Sequence, residues 1–285
     1  MSSRRERLLA KIRELGTGPK RSLGQNFLVS DHVIERILHY AASTNEAGAK
    51  PASLVEVGPG LGALTEGLIE QSRNSGVSFQ VIELDRTFAE HWRAAGVNVI
   101  EADALQYDWA KLELPAGSRL ISNLPYQISS SLVVERSVAP FGLTSMVLMF
   151  QKEVAKRIAA KPKTEDFGLL SVIAQIGWVV DTVCDAGPQD FFPPPRVASR
   201  VLRFRRRADA PAAEEFQEFL RFTKAGYAHR RKLLAGNLAG WSHKGGASLE
   251  RARLEELIEQ MGFTKTARAE EFSPEQFLEL FRRLR

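Results

Sequence analysis

The stretch that most restricts the possible folds is Leu54-Val55-Glu56-Val57 running straight into Gly58-Pro59-Gly60-Leu61-Gly62, with a helix opening at Ala63, Leu64 and Thr65. A short apolar strand, a glycine loop and a helix in that order describe the first turn of an open α/β sheet, where a backbone without side chains lets a ligand come close. The spacing is G-x-G-x-G and lacks the longer G-x-G-x-x-G spacing that seats a pyrophosphate. A nucleoside without a pyrophosphate, such as S-adenosylmethionine, suits the shorter loop better than a dinucleotide. A tight turn without a ligand is the competing reading of the glycines alone.

Further βα units follow. Phe79-Gln80-Val81-Ile82-Glu83-Leu84-Asp85 reads as a second strand, with Glu83 placed 21 residues after Gly62. An acid at the end of the second strand can accept from both hydroxyls of a ribose. Asp85 competes for that role but stands where it can cap a helix starting near Arg86 and Thr87. Val97 to Ile100 is a third strand, and Asp103 beyond it is a candidate acceptor for an adenine amino group. Arg119 to Ser122 ends a fourth strand at Asn123-Leu124-Pro125-Tyr126, where proline stops the ladder. Such spaced units predict a doubly wound, largely parallel sheet.

The tetrapeptide suits one kind of chemistry. The exocyclic amine of adenine is a poor nucleophile because its lone pair is delocalised into the ring. The Asn123 side-chain oxygen and the Leu124 carbonyl can each accept one of its N–H groups, and the Tyr126 ring can stack on the base. A strand-terminating turn is the bland alternative, Asn and Pro being common there.

Downstream, a helix is expected over Ser130 to Val138, strands over Thr144 to Phe150 and Trp178 to Cys184, and a helix over Leu169 to Ile176. Phe191-Phe192-Pro193-Pro194-Pro195-Arg196 reads as a stiff polyproline-like arm that holds an aromatic ring out for stacking, with Arg196 for phosphate. Beyond Arg207 the pattern is helical: Phe216, Phe219, Leu220 and Phe222 share a face, His229 to Leu234 reads as a basic helix start, and Ser273-Pro274 opens the last helix.

Charge is unevenly placed. The net +5 divides into +5 over residues 1–21, −6 over 22–199 and +6 over 200–285. Basic ends around an acidic middle suggest a polyanionic partner. The single cysteine, Cys184, rules out an internal disulfide framework and fits a reducing cytoplasm. The five histidines have no metal-ligand spacing, so no metal is expected. No apolar run approaches a membrane span.

Six ordered stretches together resemble the rRNA adenine N6-dimethyltransferase family, in its bacterial small-subunit branch. They are Leu23 to Leu28, Glu56 to Gly62, Val81 to Asp85, Asp103-Ala104, Asn123 to Tyr126, and F-x-P-P-P-[KR]-V-x-S from Phe191 to Ser199. The resemblance implies a Rossmann-like class I methyltransferase sheet over residues 20–207, a small all-α rRNA-binding domain over 208–285 and a basic extension over 1–19. It implies that Asn26 and Leu28 cover S-adenosyl-L-methionine, that Gly58 meets its methionine part, Glu83 its ribose and Asp103 its adenine, and that Asn123 lies beside the methyl sulfonium. Phe191 is expected to stack on a flipped base opposite Tyr126, and Arg230, Arg231 and Lys232 to grip rRNA. The implied reaction is dimethylation of two adjacent adenosines near the 3′ end of 16S rRNA, by a cytoplasmic monomer acting on the small subunit or its precursor. An assembly factor with secondary catalysis and a large-subunit (23S) adenine methyltransferase are the alternatives. Arg196 stands where lysine is common, and the basic extension is longer than the family core needs; docking to rRNA is its expected role.

Overall fold

The structure, a computed structural model, describes residues 3–20, 25–42, 50–243 and 246–285. Leu23 and Gly24 of the first family stretch lie outside those residues. The chain folds into two compact units, one formed by Met1–Val133, Pro140–Ala155 and Val180–Arg206, the other by Val134–Ala139, Lys156–Val179 and Arg207–Arg285.

The first unit begins with helix α1 (Arg4–Glu14), strand β1 (Phe27–Leu28) and helix α2 (Asp31–Ala42). β2 (Ser53–Val57), α3 (Thr65–Ser75), β3 (Ser78–Glu83), α4 (Arg86–Ala94), β4 (Asn98–Glu101), β5 (Ser118–Ser122), α5 (Tyr126–Val138) and β6 (Leu143–Gln151) follow. α6 (Lys152–Ile158), α7 (Leu169–Gly177), β7 (Trp178–Ala186), β8 (Phe191–Phe192) and β9 (Ser199–Arg206) complete the region before the C-terminal helices.

Seven strands form one sheet in the order β4-β3-β2-β5-β6-β9-β7. β4, β3, β2, β5 and β6 are parallel and β9 is antiparallel to β6. Every residue of β2 and of β5 is buried, Ser53, Glu56, Ser118, Arg119 and Ser122 included, so neither strand shows the in–out alternation of a half-exposed one. The chain runs from β2 outward to β3 and β4, then returns to place β5 on the other side of β2. Strand order therefore reverses between β2 and β5, and in such sheets the ligand crevice opens at the carboxyl ends of those two strands.

Helix starts follow local chemistry. Asp85 caps α4 by accepting from the Thr87 N–H at 3.1 Å, as its position predicts. α2 starts at Asp31, and the Ile34 N–H donates to the Ser30 carbonyl at 3.1 Å. α5 starts at Tyr126, four residues earlier than the expected Ser130.

The proline-rich stretch differs most from expectation. Instead of a free arm, Phe191 and Phe192 form β8, which pairs antiparallel with β1 in the register Phe27 to Phe192 and Leu28 to Phe191. Phe191 is 4% exposed, inside a core with Leu28, Val33, Ile34 and Ile37. Pairing over so long a sequence separation leaves no local signature.

The second unit carries α8 (Ala213–Gly226), α9 (Leu234–Leu238), α10 (Arg251–Gln260) and α11 (Pro274–Arg283). Its core is aromatic: Phe219 lies 6.2 Å from Phe277 and 5.6 Å from Phe281, and Phe222 lies 5.4 Å from each. Ser273 and Gln276 cap α11 reciprocally, with Pro274 at its first position. His229 to Lys232 lies in a turn ahead of α9, not at a helix start. Phe219→Ala deletes a fully buried ring from this cluster. It is expected to cost about 3–5 kcal/mol, read as a shift of the urea midpoint.

Candidate active site

The glycine loop after β2 and the tetrapeptide after β5 meet at the crevice, around a cavity of about 320 Å³ lined by residues of the first unit. The loop is shaped by left-handed backbone at Gly58, Gly60 and Gly62, with φ of +68°, +51° and +93°. The Gly58 N–H donates to the Ile82 carbonyl at 2.8 Å, which ties the loop to the end of β3. Trp92 of α4 donates its indole N–H to the Gly60 carbonyl at 2.9 Å and fills the space beside Gly62.

Glu83 ends β3 and is 5% exposed. One oxygen accepts from the Gly60 N–H at 3.2 Å and the other from the Asp85 N–H at 2.8 Å. Burial raises its pKa, and these two bonds oppose the rise. Each carboxylate oxygen retains acceptor capacity. Asp85, the competing candidate, is not on the cavity wall; it caps α4 and pairs with Lys20 at 2.8 Å. Asp103 reaches the wall from the loop after β4, and its side chain accepts from the Leu105 N–H at 2.9 Å.

At the end of β5, the Ser122 hydroxyl donates to the Val57 carbonyl and locks the two strand ends together. The Asn123 amide nitrogen donates to the Asn26 carbonyl at 3.3 Å. That contact fixes the sense of the amide and leaves its oxygen as the acceptor. Leu124 is 2% exposed and Tyr126 is half-buried, with its hydroxyl 2.7 Å from the Ser199 hydroxyl. Burial raises the Tyr126 pKa, so the phenol is neutral.

Asn26, Leu28, Gly58, Glu83, Asp103, Asn123, Leu124 and Tyr126 thus share one cavity wall. Phe191 and Arg196 do not line it: the first is in the core and the second is exposed. Arg230, Arg231 and Lys232 are exposed on the second unit, where Arg230 pairs with Glu270 at 2.9 Å.

Three contributions escape a reading of the sequence. Leu84 is 53% exposed and supplies apolar wall beside Glu83. The helix α1 brings Arg4, Arg7, Leu8 and Lys11 to the cavity. Glu56, quoted above only as part of a motif, is 2% exposed on the wall, and its Oε2 has no hydrogen-bond partner among the described residues. A carboxyl inside a strand of Leu and Val was the available signal.

Burial pushes the Glu56 pKa up to about 8; the Glu83 charge adds to the rise and the Thr65 hydroxyl opposes it. The folded chain then holds a proton that the unfolded chain has released above a pH of about 4.5. Stability of the ligand-free protein should therefore fall as pH rises from 4.5 through about 8, with a limit of about 1.4 kcal/mol per pH unit for one proton. Glu56→Gln should flatten that slope in thermal melts across this range; an unchanged slope would assign the titration to another group.

An open, mostly parallel sheet with a glycine loop and an Asn-Leu-Pro-Tyr turn at its switch point defines a class I methyltransferase. The comparisons narrow the class: the sequence model of the ribosomal RNA adenine dimethylase family matches residues 17–285, and the chain belongs to that family. A ribosomal RNA small subunit methyltransferase A of Bdellovibrio bacteriovorus is 47% identical over 282 residues, 99% of this chain and 98% of that one. One from Desulfitobacterium hafniense is 35% identical, covering 94% and 92%. Among solved structures, a dimethyladenosine transferase from Plasmodium falciparum superposes with a TM-score of 0.68 at 20% identity, over 90% of this chain and 96% of that one. The 23S rRNA methyltransferase ErmE gives 0.63 at 24% identity, over 91% and 99%. Both share the fold.

Proposed function

We propose that this chain transfers methyl groups from S-adenosyl-L-methionine to N6 of two adjacent adenosines near the 3′ end of 16S rRNA, during small-subunit biogenesis. The observation that carries the reading is the placement of Asn123 and Leu124 on the same cavity wall as the glycine loop and Glu83. The relatives named as small-subunit enzymes favour that substrate over the large-subunit alternative.

The residues fit the cofactor. The unpartnered Oε2 of Glu56 suits a ligand ammonium, the remaining acceptor capacity of Glu83 suits two ribose hydroxyls, and Asp103 suits an adenine amino group. Asn26, Leu28 and Gly58 complete the enclosure. When bound, the cofactor supplies an electrophilic methyl group. The chain supplies position: the Asn123 oxygen and the Leu124 carbonyl accept the two N–H groups of the adenine amine and turn its lone pair toward the cavity, and the Tyr126 ring supports the base. No general base is needed before attack, because the amine enters neutral and loses its proton afterwards.

Stacking from the other side is not offered by Phe191 as it stands in the core. Its role in the proposal is to hold Leu28 against the cavity through the β1–β8 pairing. Arg230, Arg231 and Lys232 are proposed to meet rRNA phosphates, with Arg196 as a further contact. No helix among the described residues is long and apolar enough to cross a membrane. A cytoplasmic site of action follows from the proposed substrate, and a monomer is proposed as the acting form.

The test is incubation of the purified protein with labelled S-adenosylmethionine and undermethylated small subunits, with large subunits as control, followed by mass spectrometry of the nucleosides. Dimethyladenosine from the small subunit is the expected product. Product confined to the large subunit would overturn the substrate, and subunit binding without product would overturn the catalytic reading in favour of an assembly factor.

A further inference from the structure

The helix α1 lies outside the part of the chain that the family's sequence model matches, residues 17–285. It nevertheless forms part of the cavity wall. Arg4, Arg7, Leu8 and Lys11 fall on one face by their helical spacing, and all four line the cavity. Leu8 anchors that face: it is 8% exposed and packs with Phe27, Leu61, Phe88 and Trp92. Lys11 Nζ sits 4.5 Å from the centroid of the Trp92 ring and 3.3 Å from Glu66, and Arg4 pairs with Asp31 at 2.5 Å. Arg5, on the flank, lies over the Phe192 ring at 5.4 Å. A reciprocal Ser3–Glu6 cap closes the amino end of the helix.

Charge gives this placement its meaning. The other ionisable side chains on the wall are the carboxyls of Glu56, Glu66, Glu83 and Asp103 and the neutral phenol of Tyr126. Among the described residues, every cationic side chain lining the cavity comes from α1. A nucleoside that carries an amino acid presents an ammonium and a carboxylate together. Carboxyl groups can serve the first group and offer the second no positive charge, so a wall without α1 holds no cation for the carboxylate.

We propose that α1 is part of the cofactor site and that its cationic face, centred on Arg7, recognises the amino-acid carboxylate of the ligand. The proposal rests on the S-adenosylmethionine reading above. It assigns the basic start of the chain a small-molecule role in place of docking to rRNA.

The test uses the full chain and two ligands that differ by one carboxylate: S-adenosylhomocysteine and its decarboxylated counterpart S-adenosyl-3-thiopropylamine. Binding is measured by isothermal titration for the wild type, for Arg7→Gln, and for a variant combining Arg4→Gln, Arg7→Gln and Lys11→Gln. Circular dichroism checks that each variant is folded; Arg7 is exposed, so its single substitution keeps the test valid should the triple variant misfold. The combined variant should lose about tenfold or more in affinity for S-adenosylhomocysteine, as loss of charge-assisted contacts implies. Arg7→Gln should show a smaller loss of the same kind. Affinity for the amine should stay within about twofold in both. Equal losses for the two ligands, or no loss for either, would overturn the proposal, as would variants that bind S-adenosylhomocysteine normally and fail only on small subunits. A wild-type chain that binds neither ligand would overturn the cofactor reading itself, and this proposal with it.

Discussion

Replacing Asn123 by alanine is expected to cut single-turnover methylation by about 10²–10³-fold while changing affinity for small subunits by less than about threefold. The side chain sits where the chain turns out of β5, and its amide nitrogen is already committed to the Asn26 carbonyl. Only its oxygen is offered to a substrate amine. Alanine removes that acceptor and leaves the neighbouring Leu124 carbonyl in place, so half of the pair proposed to shape the amine is lost. The contacts proposed for rRNA lie elsewhere, on Arg230, Arg231 and Lys232, and are untouched. Asn123→Asp separates geometry from charge, because it keeps an acceptor but sets an oxygen against the Asn26 carbonyl. Single-turnover methylation and filter binding, run on the same preparations, check both. Parallel losses in rate and affinity would contradict the role given to Asn123.

The second large effect belongs to Gly62→Ala. At φ +93° any side chain is strained, and a Cβ built there would lie 2.5 Å from two carbons of the Trp92 ring. Trp92 has nowhere to retreat: it is 3% exposed and holds the Gly60 carbonyl through its indole N–H. Strain and overpacking together should cost about 2–4 kcal/mol. Because the displaced ring carries the glycine loop with it, affinity for S-adenosylhomocysteine should fall at least about tenfold. Gly236→Ala is the control. Gly236 lies inside α9 with open space where a Cβ would stand, so alanine there should be neutral or stabilising by up to about 1 kcal/mol. Chemical denaturation and calorimetric titration of both variants check the contrast; a Gly62→Ala protein that binds normally would show that the loop tolerates a shifted Trp92.

These effects depend on features that differ in how visible they are in the sequence. The parallel strands were legible because each is short, apolar and followed by a turn signal; the ends at Val57, Glu83 and Ser122 fall where the glycine loop, the acid and the asparagine mark them. The cap at Asp85 was legible for the same local reason. Phe191 was not. Its aromatic ring beside three prolines reads as an exposed arm, and only pairing with Phe27 and Leu28 puts it in the core. The basic run at His229 to Lys232 reads as a helix start by composition, yet tertiary contacts, among them Arg230 with Glu270, hold it in a turn. Residues 1–21 stand out in the sequence only by their net charge of +5. Their importance lies in which face carries Arg4, Arg7, Leu8 and Lys11, and that face shows its use only when Trp92 and Phe27 are in place to receive it.

The junction of the two loops has a consequence for how such a site can be altered. A Cβ at Gly58 would meet the Pro125 ring at 3.6 Å, and the Ser122 hydroxyl bonds back to Val57. The cofactor loop and the acceptor turn therefore share a boundary that neither owns. A library that diversifies Asn-Leu-Pro-Tyr to accept another nucleophile while holding the glycine loop fixed samples only the changes that loop already permits. Retargeting the chemistry calls for the two segments to be inherited as one block, exchanged together or not at all.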